Sequence, residues 1–184
     1  MILQKIRANQ KNTKGTKAFL PYPKGLGMFS ELMPGRFKND ITAITGGTSS
    51  SKSSFLRYII FEQCLWAEFE NVPYKCLWFA LEESEEQIDF AIMSYLTYKL
   101  SEGKYRLNIE NFTGMKPFPT EEEYKFMKVI ELSYYPMIRD KLIIKDHVYN
   151  SYGIYKEIRN YAFEHGKFFD KKGEQVTEFG KDDI

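Results

Sequence analysis

Between Asp40 and Ser54 the chain reads Ile-Thr-Ala-Ile-Thr, then Gly46-Gly47-Thr48-Ser49-Ser50-Ser51, then Lys52-Ser53-Ser54 and an apolar run at helical spacing. β-branched residues favour an extended strand, and a run of small residues favours a loop whose backbone can approach a ligand closely. Phe55, Leu56, Ile59, Ile60, Cys64 and Ala67 recur with the period of a helix face. The expectation is a buried strand carrying Ile41, Ala43 and Ile44, a tight loop, and a helix over residues 53–70 closed by Asn71-Val72-Pro73.

Strand, loop, lysine, hydroxyl and helix in this order match the phosphate-binding loop G-x-x-x-x-G-K-[ST], with Ser51 in place of the second glycine. The chemistry explains the residue types. Inward-turned N–H groups and the positive end of the helix dipole suit the crowded oxygens of a triphosphate. Lys52 would reach the β- and γ-phosphates, and Ser53 would place its hydroxyl on Mg²⁺, which prefers oxygen ligands. The motif's binding set is therefore Gly46, Gly47, Thr48, Ser49, Ser50, Ser51, Lys52, Ser53 and Ser54, with a nucleoside triphosphate and Mg²⁺ as its ligands. A Ser/Gly-rich surface turn that happens to contain a lysine is the competing reading. If position 51 needs φ > 0, its serine costs roughly 1 kcal/mol or more.

Downstream, residues 75–81 form a near-continuous apolar run, the pattern of a strand covered on both faces. Ile88, Ala91, Ile92, Tyr95 and Leu96 share one helical face. Residues 100–119 are irregular, and Thr120-Glu121-Glu122-Glu123 opens a helix towards Tyr135 with a capping box. Residues 142–146 form another strand, and Ile154, Ile158, Tyr161 and Ala162 a last helix ended by Gly166. Leu32-Met33-Pro34-Gly35-Arg36 is a turn feeding the first core strand. Alternating strands and helices imply an α/β fold with a mainly parallel sheet.

Among 184 residues, 15 Phe and 13 Tyr supply large buried area and offset a modest apolar fraction, so one sizeable domain is expected. Two cysteines, Cys64 and Cys76, are too few for a disulfide framework, and with His147 and His165 they form no metal-ligand pattern. No apolar run has the length of a membrane span, and the first residues lack an apolar signal core. A cytoplasmic protein without a membrane partner is expected. Residues 1–30 contain six basic and no acidic side chains, so residues 1–22 read as a basic arm, either solvated or docked on a neighbouring subunit or nucleic acid.

A loop that binds phosphate does not itself activate water; a carboxylate or glutamine usually orients it. Glu82, after the apolar run of residues 75–81, is the best candidate, and Glu83 competes with it. Residues 82–86 also make sense as an acidic helix start.

Taken together, residues 23–166 resemble the C-terminal ATPase domain of DnaB-type replicative helicases, RecA-like ring ATPases. The resemblance rests on Pro23-Lys24-Gly25-Leu26 before Leu32-Met33-Pro34-Gly35, on residues 46–54, and on Phe79-Ala80-Leu81-Glu82-Glu83-Ser84, which is similar to the family's F-S-L-E-M-S. The strand at residues 142–146 and the helix after it are similar to the pair that precedes the family's Walker B strand. The resemblance implies a RecA-like core with Glu82 and Lys52 as catalytic residues. It also implies a homo-oligomeric ring, a hexamer, that hydrolyses ATP to move along single-stranded DNA in replication, with primase or other replication proteins as partners.

Walker B itself, an apolar strand ending in Asp, does not follow; Asp182 and Asp183 come after Phe179-Gly180-Lys181. The expectation is the N-terminal half of the core, with residues 167–184 as a charged tail or insertion. The residue usage, rich in Lys, Asn, Ile, Tyr and Phe, suits an AT-rich source such as a phage, whose proteins work in the host cytoplasm. Alternatives are a RecA-like recombinase or clock-type ATPase, a nucleotide-binding assembly module without turnover, and a P-loop small-molecule kinase.

Overall fold

The computed structural model describes residues 19–33, 35–37, 42–47, 51–166, 168–169 and 175–176. The basic arm up to residue 18, Ile41, Thr48, Ser49, Ser50, Asp182 and Asp183 lie outside the described residues. In chain order the elements are β1 (Phe19–Pro21), a 3-10 turn (Lys24–Leu26), α1 (Met28–Leu32), β2 (Gly35–Phe37) and α2 (Lys52–Phe69). There follow β3 (Cys76–Phe79), α3 (Glu85–Leu100), α4 (Ile109–Phe112), α5 (Glu121–Ser133) and α6 (Tyr135–Arg139). The last are β4 (Leu142–Lys145), α7 (Ser151–His165), β5 (Phe168–Phe169) and β6 (Gln175–Val176).

The fold is mixed α/β, with a small parallel sheet of two strands, β3 and β4, flanked by helices. Two further pairs are antiparallel: β1 with β2, in the register Phe19 to Phe37, and β5 with β6. The chain divides into two compact units, one of Met1–Cys76 with Glu86–Ile143, the other of Leu77–Glu85 with Ile144–Ile184.

Two expectations about the first third of the chain are corrected. Residues 42–47 form no strand: Thr42 and Ala43 are exposed and Ile44 is half-buried. A strand exists only as part of a ladder, because each extended residue needs a neighbour for its N–H and C=O groups. Residues 42–47 belong to none of the three described ladders. Gly35 and Arg36, read as turn residues, are instead in β2, because Phe19–Pro21 supplies the opposing strand.

Helices carry the core of the first unit. In α2, Ile59, Ile60, Phe61, Cys64, Leu65 and Ala67 are buried, whereas Leu56, assigned to the same face, is 39% exposed. In α3, Ile88, Ile92 and Leu96 are fully buried and Ala91 nearly so. The short α6 packs on α2 and adds the fully buried Ile138. Burial of an Ile or Leu side chain is worth roughly 1.5–3 kcal/mol, so these faces outweigh the small ladders as a source of stability.

Helix ends follow local chemistry. After α2, Asn71 takes a left-handed φ of 51°, its N–H bonds Glu68 O at 3.1 Å, and Val72 N–H bonds Ala67 O at 2.8 Å. These two bonds make a Schellman motif with asparagine at the position glycine usually fills. At α5, Thr120 Oγ1 accepts from Glu123 N–H, and the Glu123 carboxylate accepts from Thr120 N–H at 2.8 Å, the capping box expected there. Among the described residues no helix is long and apolar enough to cross a membrane.

Candidate phosphate-binding loop

The first turn of α2 gathers the motif residues. Ser51 precedes it with φ 57° and ψ 25°, a left-handed backbone that glycine adopts freely and serine adopts at a cost. That conformation turns the chain from the loop into the helix and starts α2 at Lys52, one residue earlier than periodicity suggests. Phe55 N–H closes the first helical turn on Ser51 O at 2.9 Å. The Ser51 side chain does not cap the helix. The N-terminus of α2 thus presents its N–H groups with no side-chain oxygen of Ser51 over them.

Lys52 folds back over the loop. Its Nζ donates to Gly46 O at 3.0 Å and to Gly47 O at 2.8 Å. Two glycine carbonyls therefore hold the ammonium on the side of the loop that precedes the helix. Nothing lies within 4 Å of the place where a Gly47 Cβ would sit, so the backbone there borders open space. Ser53 and Ser54 are exposed in the first turn. The structure thus brings Gly46, Gly47 and Lys52 together.

The donor set fits a phosphate group, with one ammonium, a helix N-terminus that the Ser51 side chain does not cap, and exposed hydroxyls. It fits Mg²⁺ less completely. Ser53 offers one oxygen, which suits an ion that keeps several waters and takes other ligands from phosphate.

Beside the loop a hollow of about 410 Å³ begins at Ser54. Arg57, Tyr58, Tyr95, Asn108 and Glu110 also line it. The motif did not point to these residues, although Arg57 and Tyr58 stand three and four positions after Ser54, on the same helical face. Tyr58 and Tyr95 meet edge to face at 6.2 Å, and the Tyr95 hydroxyl donates to the Glu62 carboxylate, which also pairs with Lys99. Burial first, and then Glu62, push the Tyr95 hydroxyl well above the usual phenol range, so it stays a donor.

Glu82 and Glu83 belong to the second unit and follow β3 in a bend. Glu82 is exposed and Glu83 half-buried. Also in this unit, Glu85 N–H donates to Asp146 Oδ2 at 2.9 Å. A carboxylate distant in sequence thus receives the first N–H of α3, and that position favours negative charge. In the sequence Asp146 is legible only as the end of a strand.

Compared with family models, with characterised proteins and with solved structures, the chain matches none.

Proposed function

We propose that residues 46–54 bind ATP with Mg²⁺, and that the chain is the nucleotide-binding part of a ring-forming ATP-dependent DNA helicase with a RecA-like core. One observation carries the nucleotide reading: Lys52 sits at the first position of a helix and is held on the carbonyls of its own glycine loop. A lysine on a solvated turn gains little from ordering its long side chain. A lysine aimed at a phosphate site gains from being pre-positioned there. When triphosphate binds, the ammonium exchanges carbonyl partners for phosphate oxygens with a short movement. The left-handed Ser51 supports the same reading, because it adopts the conformation the motif's glycine makes easy.

Each residue has a task in this proposal. The N–H groups at the start of α2 bind phosphate oxygens. Lys52 neutralises charge on the β- and γ-phosphates, and Ser53 holds Mg²⁺ through its hydroxyl. The ion, when bound, offsets charge developing on the transferring phosphoryl group. Glu82 orients the attacking water, an assignment that rests on the Phe79-Ala80-Leu81-Glu82-Glu83-Ser84 segment. The helicase assignment rests on the same segment and on its order after the loop.

The test is titration of a fluorescent ATP analogue into the wild-type chain and into Lys52→Ala, with circular dichroism as the folding control. The expected result is binding by the wild type and its loss in a folded mutant. Equal affinity in both would remove the nucleotide reading.

A further inference from the structure

We propose that the outward face of α7 is a stacking platform for single-stranded nucleic acid. On this helix Gly153, Ile154, Glu157 and Tyr161 are half-buried and turn inward, whereas Tyr152, Tyr155, Lys156 and Arg159 are exposed on the opposite side. Tyr152 is 75% exposed, and Tyr149, in the turn ahead of the helix, 71%. At 100° per residue, Tyr152, Tyr155, Lys156 and Arg159 fall within one arc of about 100°, a sector that the half-buried Phe163 shares. Each tyrosine has a cation one turn further on, Lys156 after Tyr152 and Arg159 after Tyr155. The Arg159 guanidinium lies 5.3 Å from the centre of the half-buried Phe163 ring.

No carboxylate shares that arc. Glu157 points inward and pairs with Lys145 at 2.7 Å, and Glu164 lies beside His165 at 3.7 Å. Among the described residues of α7, this face therefore offers exposed rings and positive charge with no carboxylate in its arc. Nucleic acid presents the matching surface: flat bases that stack on aromatic rings at about 1–3 kcal/mol each, and phosphates that attract Lys and Arg. Neighbours at i and i+3 stand about 5–6 Å apart on a helix, close enough to take successive bases of an extended strand. Aromatic residues and Arg are common at protein interfaces as well, but the centre of such an interface is apolar and poor in lysine, whereas here Lys156 shares the arc of the tyrosines and Ile158, 49% exposed, falls outside it.

The inference deepens the proposed function by adding a surface that meets single-stranded DNA, yet it stands on α7 and not on Lys52. The test is fluorescence anisotropy of a labelled oligothymidylate of about 16 nucleotides, a length that several stacked bases would need. The full chain should bind it better than a duplex of equal length, because only unpaired bases expose their faces. Tyr152→Ala with Tyr155→Ala should weaken binding by about tenfold or more, and the corresponding Phe variants should keep it. Lys156→Gln with Arg159→Gln should lower the slope of log affinity against log salt by about one to two units. Lys52→Ala should bind the oligonucleotide as the wild type does in the absence of nucleotide, so failure at the loop and failure at α7 are separable. Circular dichroism should show the α7 variants folded, since the altered side chains face solvent. Absence of oligonucleotide binding, or equal binding by the alanine pair, would overturn the platform. So would a loss of self-association in the alanine pair with oligonucleotide affinity unchanged, which would make this face a contact between copies of the chain.

Discussion

Ser51 sets two costs against each other. A non-glycine residue in the left-handed region loses about 1–2 kcal/mol, whereas a glycine there gives up about 0.4–1 kcal/mol through the entropy of the unfolded chain. Ser51→Gly should therefore shift the melting temperature little, while Ser51→Val, with its branched Cβ at φ 57°, should lower it by several degrees in a chain of this size. Thermal unfolding followed by circular dichroism separates the two. An equal loss for both would mean that the serine hydroxyl, not the backbone, fixes this turn. Cys64 offers a second check at the same scale. It is fully buried; burial first, then the neighbouring Cys76, push its thiol up to about 12, against a smaller opposing effect of Lys141. The neutral form is the folded form, so this group destabilises the fold as pH rises past the unfolded value near 8.5, where the unfolded chain binds fewer protons. Iodoacetamide at pH 8 should alkylate Cys64 only when the chain is unfolded, as peptide mass spectrometry would show, whereas the half-buried Cys76 should react sooner.

Among the elements, two features of sequence translated directly into structure. The faces of α2 and α3 were visible as periodic apolar residues, and the box at Thr120 as a four-residue signature, because both depend on neighbours within one turn of helix. Thr120→Ala removes the oxygen that accepts Glu123 N–H and should cost about 1 kcal/mol, measurable by chemical unfolding. Pairing across the chain was not visible in the same way. The β-branched run before the loop has strand composition, but composition cannot supply a partner, and residues 42–47 have no ladder. The Asp146 contact to Glu85 N–H was hidden for the same reason, since the residues are 61 positions apart. Of the candidate site, the lysine and its glycines were legible because they are contiguous, and the hollow at Ser54 was not because three separate segments form it. Gly153 marks one close approach that sequence also concealed. A Cβ there would stand 2.8 Å from Val148 Cγ1 and 3.2 Å from the Asn150 oxygen that accepts the Gly153 N–H. Gly153→Ala should therefore destabilise the chain, although alanine in a helix normally gains about 1 kcal/mol over glycine. A stabilised mutant would show that the start of α7 has room to relax.

For the whole molecule the proposal makes hydrolysis the decisive property, because a nucleotide-binding assembly module and a helicase motor share a phosphate loop but not turnover. Orienting water by a carboxylate contributes about 10²–10⁴-fold, so Glu82→Gln should lower steady-state phosphate release by at least about 10²-fold while analogue binding persists. Glu83→Gln should do much less. The contrast matters because both residues sit in one acidic bend after β3, where either could serve merely as negative charge ahead of α3. Equal losses would assign the pair to that structural task and withdraw the catalytic role. If nucleotide sites are completed between subunits, specific activity should also rise with protein concentration, in step with assembly followed by sedimentation. Oligothymidylate should raise the rate further, and the alanine variant of Tyr152 and Tyr155 should lose that stimulation while keeping the basal rate. Activity independent of both concentration and oligonucleotide would favour a self-contained P-loop enzyme such as a kinase, in which the same lysine serves a phosphoryl transfer that needs neither a ring nor a strand to move along.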